Sequence, residues 1–116
     1  MKKLYIRRAT FTILDNNWTF TVLSDEAYEA LAKDVGMEDA DAFVLPGKKH
    51  GFFKEDTATL DIIGHELVHV VVDGLKLSSA SLKADQLEEI LADYFGDNLE
   101  SYTKLRRKLF NKLKRK

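Results

Sequence analysis

The chain of 116 residues has no cysteine, one proline, one tryptophan and three histidines. Without cysteine there is no disulfide framework and no thiolate ligand, so any bound metal must rest on histidine and carboxylate, as catalytic sites do more often than structural ones. A long hydrophobic run is also missing. The most apolar helical candidate, residues 59–74, carries Asp61, His65, Glu66, His69 and Asp73 and falls short of the roughly 20 apolar residues that a membrane helix needs. The start, MKKLYIRRATF, is basic but has neither an apolar block nor a small-residue cleavage site. The expectation is therefore no signal peptide, no membrane partner and a cytoplasmic protein. Internal repeats and low-complexity linkers are absent as well, and the length suits one domain around one core.

What is present is an ordinary globular composition, 45% hydrophobic and 32% charged, with its charge strongly segregated. All 19 acidic residues lie between Asp15 and Glu100, with six lysines among them, which leaves that body at about −13. Residues 2–8 add four positive charges, and residues 104–116 add eight with no acid among them. An acidic body thus sits between basic ends.

The alternation of Leu4, Ile6, Phe11 and Ile13, then of Trp18, Phe20 and Val22, with Asp15-Asn16-Asn17 between, predicts a hairpin. Ser24 is an N-cap candidate ahead of Asp25 and Glu26, Tyr28, Leu31, Ala32 and Val35 have helical spacing, and Gly36 ends that helix. A pair of short strands is expected across residues 42–45 and 51–54, with Pro46-Gly47 between them. The next helix should start at Thr57 or Thr59 and stop at Gly74. A serine-rich loop over residues 75–84 leads to a helix that opens at Ser81 or Asp85 and runs to about Leu99, and a separate basic amphipathic helix follows over 102–116. Residues 1–103 would form the domain, and 104–116 its C-terminal helix or tail.

The chemistry concentrates in the helix over residues 59–74. At about 100° per residue, Asp61, His65, His69 and Asp73 share one face, Glu66 borders it, and Leu60, Ile63, Leu67, Val70 and Val71 lie opposite. Two histidines four apart, with a glutamate directly after the first, can hold zinc and place a carboxylate beside its water. Gly64 costs roughly 1 kcal/mol inside a helix relative to alanine, so its backbone should lie close to another element. Two histidines under-coordinate zinc; a third protein ligand should come from the downstream acidic helix, which offers Glu88, Glu89 and Asp93.

His65-Glu-Leu-Val-His69, followed by Glu89-Ile-Leu-Ala-Asp93-Tyr-Phe-Gly96, resembles the gluzincin pattern of zinc metallopeptidases, HExxH and then ExxxD. Ala92-Asp93 before Phe95 is also similar to the ImmA/IrrE-type intracellular metallopeptidases of mobile elements and stress regulators. The likeness covers roughly residues 57–102. It implies an α+β, minimal zincin-like domain with a small, mostly antiparallel N-terminal sheet, a metal helix and C-terminal helices. It further implies His65, His69 and Glu89 as zinc ligands, Glu66 as general base and Asp93 as the carboxylate orienting a ligand histidine. Helical periodicity places Glu88 rather than Glu89 nearer the apolar face, and Glu88 stands as the alternative ligand. The reaction implied is hydrolysis of a peptide bond, in a protein or peptide substrate such as a regulator, by Glu66-assisted attack of zinc-bound water.

His50, Tyr94, Tyr102 and Arg106 are chemically able to stabilise a transition state, but none has spacing that singles it out, and packing roles for Tyr94 and Tyr102 and a turn role for His50 are the preferred readings. The strand at 51–54, just before the metal helix, is the candidate edge for an extended substrate. Asp61 and Asp73 read as solvated neighbours of the ligands. The basic tail can bind nucleic acid or an acidic partner through its charge, but a terminal helix packed by Leu105, Leu109, Phe110 and Leu113, its basic face solvated, explains it without a partner and is the preferred reading. A zinc-containing binding module that docks through this tail is thus the rival to an enzyme, and a hydrolase of non-peptide amides is a further one.

Overall fold

The computed structural model describes residues 5–76 and 83–114. Their order is β1 (Tyr5–Ile13), β2 (Asn16–Leu23), α1 (Asp25–Val35), β3 (Ala42–Leu45), a short 3-10 turn (Pro46–Lys48), β4 (His50–Lys54), α2 (Leu60–Gly74) and α3 (Ala84–Leu113). The fold is α+β, with one four-stranded mixed sheet and three helices. The sheet order is β1-β2-β4-β3; β1 with β2 and β3 with β4 run antiparallel, whereas β2 and β4 run parallel.

Strand alternation divides the sheet between two helical layers. Trp18, Phe20 and Val22 of β2, Phe53 of β4 and Ala42 of β3 point to one face, where Ile63, Leu67 and Val70 of α2 and Leu109 and Leu113 of α3 complete the main core. Leu23 and Phe43 point to the other face and pack on Tyr28 and Ala32 of α1. The parallel pairing of β2 and β4 is possible because α1 and β3 supply the crossover between them.

Local chemistry sets the boundaries. Ser24 Oγ accepts from the Ala27 amide at 3.3 Å, and Gly36 closes α1 at φ +75°. Thr59 rather than Thr57 caps α2, accepting from the Ile62 amide; the Thr57 hydroxyl accepts from the Lys54 amide instead. The hairpin turn is tighter than the sequence suggested: Leu14 and Asp15 take positive φ, and β2 already begins at Asn16. A two-residue loop with both residues left-handed matches the twist of its strands.

The C-terminal region differs from expectation. Instead of two helices, α3 is continuous over 30 residues, so nothing separates 104–113 from what precedes it. The segment contains no proline, and Leu91, Asn98, Tyr102, Leu105, Leu109 and Leu113 continue one stripe in phase at helical spacing. The helix begins at Ala84 after Lys83, in place of an opening at Asp85; Ser81 and most of the serine-rich loop lie outside the described residues. The basic end packs on the domain: Leu109 and Leu113 are buried, and Arg7 Nε of β1 donates to the Leu113 carbonyl at 2.6 Å. Among the described residues, no helix is long and apolar enough to cross a membrane.

The expectation for Gly64 holds. An added Cβ would lie 3.0 Å from Arg106 Cδ and 3.5 Å from the Tyr102 hydroxyl, which itself donates to the Gly64 carbonyl. Alanine would offset part of that crowding through its better helix propensity, but a branched side chain cannot. Gly64→Val should destabilise the fold by about 1–3 kcal/mol in urea unfolding, with partial recovery on adding Arg106→Ala. A Gly64→Val protein as stable as the parent would contradict this packing of α2 on α3.

Candidate metal centre

The central residues of α2 are held by a one-sided burial. Ile63, Gly64, Leu67, Val70 and Val71 face the sheet and α3, which leaves His65 and His69 exposed on the solvent side. Four residues of helix separate the two rings, and their Nε2 atoms lie 3.3 Å apart. Glu66, one position on from His65, turns inward and is only 5% exposed. One of its carboxylate oxygens lies 3.9 Å from His65 Nε2.

His65, Glu66 and His69 each offer a ligand atom within 4.8 Å of the others and could hold a metal ion; among the described residues they are the one such group of three. Burial raises the Glu66 carboxyl above its ordinary value, while the neighbouring His69 and His65 pull it back down. A carboxylate in this setting holds a proton more readily than a solvated one, and the histidines beside it offset part of the effect of burial.

Two clefts open on either side of Glu66. One, of about 380 Å³, is lined by Met37, Ala40, Ala42, Phe43, Val44, Pro46, His65, Glu66, His69, Val72 and Asp73. The other, of about 410 Å³, is lined by Ala40, Asp41, Ala42, Asp61, Ile62, His65 and Glu66. The two share Ala40, Ala42, His65 and Glu66, so they form one groove between α2 and β3 with the site at its middle.

The wall opposite α2 is β3, not the strand at 51–54. That strand, β4, is internal, paired to β2 on one side and β3 on the other. The connection through Pro46–Lys48 folds β3 back outside β4, which makes β3 the edge beside the histidines. The segment before β3 is fixed from beneath: the Tyr28 hydroxyl donates to the Ala40 carbonyl at 2.6 Å. Burial, together with Glu29, Glu66 and Asp41, pushes the Tyr28 hydroxyl up to about 12, so it stays a donor at physiological pH. The four-residue apolar run after an acidic connector marked β3 in the sequence, but nothing local marked it as the edge or Tyr28 as its support.

Glu89 does not join the histidines. It is exposed and lines a separate surface groove with Asp85, Gln86 and Ile90; Glu88 and Asp93 are exposed as well. The reason is the continuity of α3. The helix meets α2 through Tyr102 and Arg106 beside Gly64, and Glu89 precedes Tyr102 by about 20 Å of helix. Its place on the helix is also turned away from the stripe that packs inward.

The nominated transition-state donors are engaged elsewhere. His50 lies on β4, stacked on Phe52 and within 2.6 Å of Thr21 Oγ1, where burial, Arg8 and Lys48 lower its pKa. The Tyr102 hydroxyl is spent on the Gly64 carbonyl, and Tyr94 packs edge-on against Phe95. None of the three lines either cleft. Arg106 lies against Gly64, at the packing surface of α2 and α3. Asp61 and Asp73, in contrast, belong to the groove, and Asp73 is held by Lys49 Nζ at 2.6 Å.

Because the folded state raises the Glu66 pKa, its proton-linked stabilisation is complete below the ordinary carboxylate range and is lost as pH rises through the raised value. In metal-free protein, Glu66→Gln should remove that decline and raise the melting temperature by a few degrees at neutral pH. An unchanged or lower melting temperature there would show that the ionised carboxylate is not desolvated. Comparison with protein-family models, with curated proteins and with solved structures finds no match for this chain.

Proposed function

We propose that this chain is a zinc-dependent peptidase of minimal zincin type, acting on an extended segment of a protein or peptide, and that His65 and His69 hold the metal while Glu66 is the general base. The observation that carries the reading is the arrangement on α2: two imidazole nitrogens 3.3 Å apart, a buried carboxylate beside them and a groove on either side. With zinc–nitrogen bonds of about 2.0–2.1 Å and tetrahedral angles, two ligand nitrogens stand about 3.3 Å apart. The donors, two imidazole nitrogens with no sulfur, also suit zinc in a catalytic role, with Glu66 kept as the base beside them. The likeness of His65-Glu-Leu-Val-His69 to the HExxH motif of gluzincins supports the same reading; the downstream Glu89–Asp93 segment, turned away from the histidines, adds nothing to it.

When bound, zinc would supply Lewis acidity, polarising a carbonyl and making water a better acid. The rest is the work of the chain. Glu66, aimed into the groove and kept from bulk solvent, takes a proton from the attacking water as its oxygen bonds to the scissile carbonyl carbon. It then passes that proton to the nitrogen as the carbon–nitrogen bond breaks. The free edge of β3 can pair with a peptide backbone and hold the scissile bond across α2. Hydrophobic Phe43, Val44 and Met37 offer shallow side-chain contacts in one cleft.

Glu66→Gln should keep zinc and lower turnover of a peptide pool by at least about 100-fold, whereas His65→Ala and His69→Ala should lose the metal. With α3 as it stands, Glu89→Gln should bind zinc as tightly as the parent in calorimetric titration. Loss of affinity in Glu89→Gln would mean that the first half of α3 turns onto α2 when metal binds. Full activity in Glu66→Gln would overturn the assignment of the base.

A further inference from the structure

Only the second half of α3 is anchored. Leu109 and Leu113 are buried and Tyr102 meets Gly64, whereas no residue between Ala84 and Ser101 is buried. The helix is also divided by charge: residues 84–101 carry six carboxylates and no cation, and residues 102–114 carry six cations and no carboxylate. Among the described residues the one ion pair on this helix is Glu100 with Lys104, at 3.3 Å. The helix dipole accounts for Asp85 in the first turn and Lys112 in the last, and its effect fades within a turn. The rows between repel themselves. Glu89, Asp93 and Asp97 stand four residues apart, as do Lys104, Lys108 and Lys112, and like charges at that spacing destabilise a lone helix. On the face turned away from α2 and the sheet, helical spacing aligns Glu89, Ala92, Gly96, Leu99, Thr103 and Arg107, and all six are exposed. Leu99, 58% exposed, is the most exposed large hydrophobic side chain among the described residues. Beside it, no atom stands within 4 Å of where a Cβ on Gly96 would be. A glycine in mid-helix is costly; Gly64 has a neighbour that requires it, and within the single chain Gly96 has none.

We infer that this face of α3 is where a second copy of the chain docks, its α3 running antiparallel across the first. A two-fold axis at the level of Asn98 sets the acidic half of each helix against the basic half of the other. In that register Glu89 and Asp93 lie opposite Arg107 and Lys104 of the second copy, and Leu99 of each chain covers the open Gly96 of the other. The missing side chain at Gly96 lets the two backbones come close at the crossing, and Ala92 and Thr103 are small enough to follow. Parallel pairing would oppose like charges along the whole length, so the charges select the antiparallel arrangement. The apolar centre is small. Most of the attraction therefore comes from exposed ion pairs, which salt screens. No residue of α3 lines the groove between α2 and β3, so the pairing is independent of the peptidase reading.

Sedimentation equilibrium of the full-length, metal-free protein tests it. At about 100 µM in low salt the mass should be twice that of the chain, returning to the monomer at about 0.5 M salt. Glu89→Lys with Asp93→Lys, and separately Lys104→Glu with Arg107→Glu, should each leave a monomer whose helicity by circular dichroism is unchanged, since all four residues are exposed. Mixing the two variants in equal amounts should restore the dimer, because each then meets opposite charge at both ends of the crossing. A parent protein that stays monomeric at low salt would overturn the proposal. So would a dimer that survives both pairs of substitutions, or a mixture of the variants that remains monomeric. A monomer that binds duplex DNA, and loses that binding with Lys104→Glu and Arg107→Glu, would assign the basic half to nucleic acid and overturn the pairing as well.

Discussion

The burial of Glu66 on a helix whose histidines remain in solvent is the constraint on which the rest of the site depends. A carboxylate only 5% exposed loses much of its hydration, and it is tolerated because two histidines sit beside it on the same helix. The helix itself is pinned by Ile63, Leu67 and Val70 against the sheet and by Gly64 against Tyr102 and Arg106. These contacts fix the rotation of α2 about its axis. One residue of rotation, about 100°, would carry the histidines off the groove and the carboxylate into water.

The sheet supplies the second wall by topology. Since β3 folds back outside β4, a four-residue, wholly apolar strand becomes the edge that faces the histidines. Tyr28, from the helix on the far face of the sheet, reaches through to hold the Ala40 carbonyl where the groove divides. The two helical layers therefore cooperate: one carries His65, Glu66 and His69, and the other steadies the wall opposite. Lys49, left-handed at φ +51° beyond the 3-10 turn, ties that wall back to α2 through Asp73.

Much of this was legible in the residues. Ser24, Gly36 and Thr59 announce helix ends by local hydrogen bonding, and those features survive in the folded chain because caps depend on neighbours a few residues away. The face shared by His65 and His69 was readable for the same reason, and the cost of a glycine inside a helix signalled a close approach at Gly64 without naming its partner. What sequence did not reveal depends on long-range geometry. Periodicity does not say which of two paired strands lies at an edge, and the edge is β3, not the strand at 51–54. Nor does it say that Tyr102 packs on Gly64. That contact sets where α3 meets α2 and so carries Glu89 and Asp93 outward. The short helix–helix break expected near residue 100 failed because no proline enforces it and the apolar stripe continues in phase.

The account centres on zinc held by His65 and His69 at the middle of the groove. X-ray absorption at the zinc edge on protein loaded with one equivalent of metal tests it most directly. The account predicts two imidazole nitrogens at about 2.0–2.1 Å, remaining positions filled by oxygen, and loss of the imidazole signal in the double His65→Ala, His69→Ala protein. A spectrum with no imidazole in the first shell, or one unchanged by that double substitution, would contradict it.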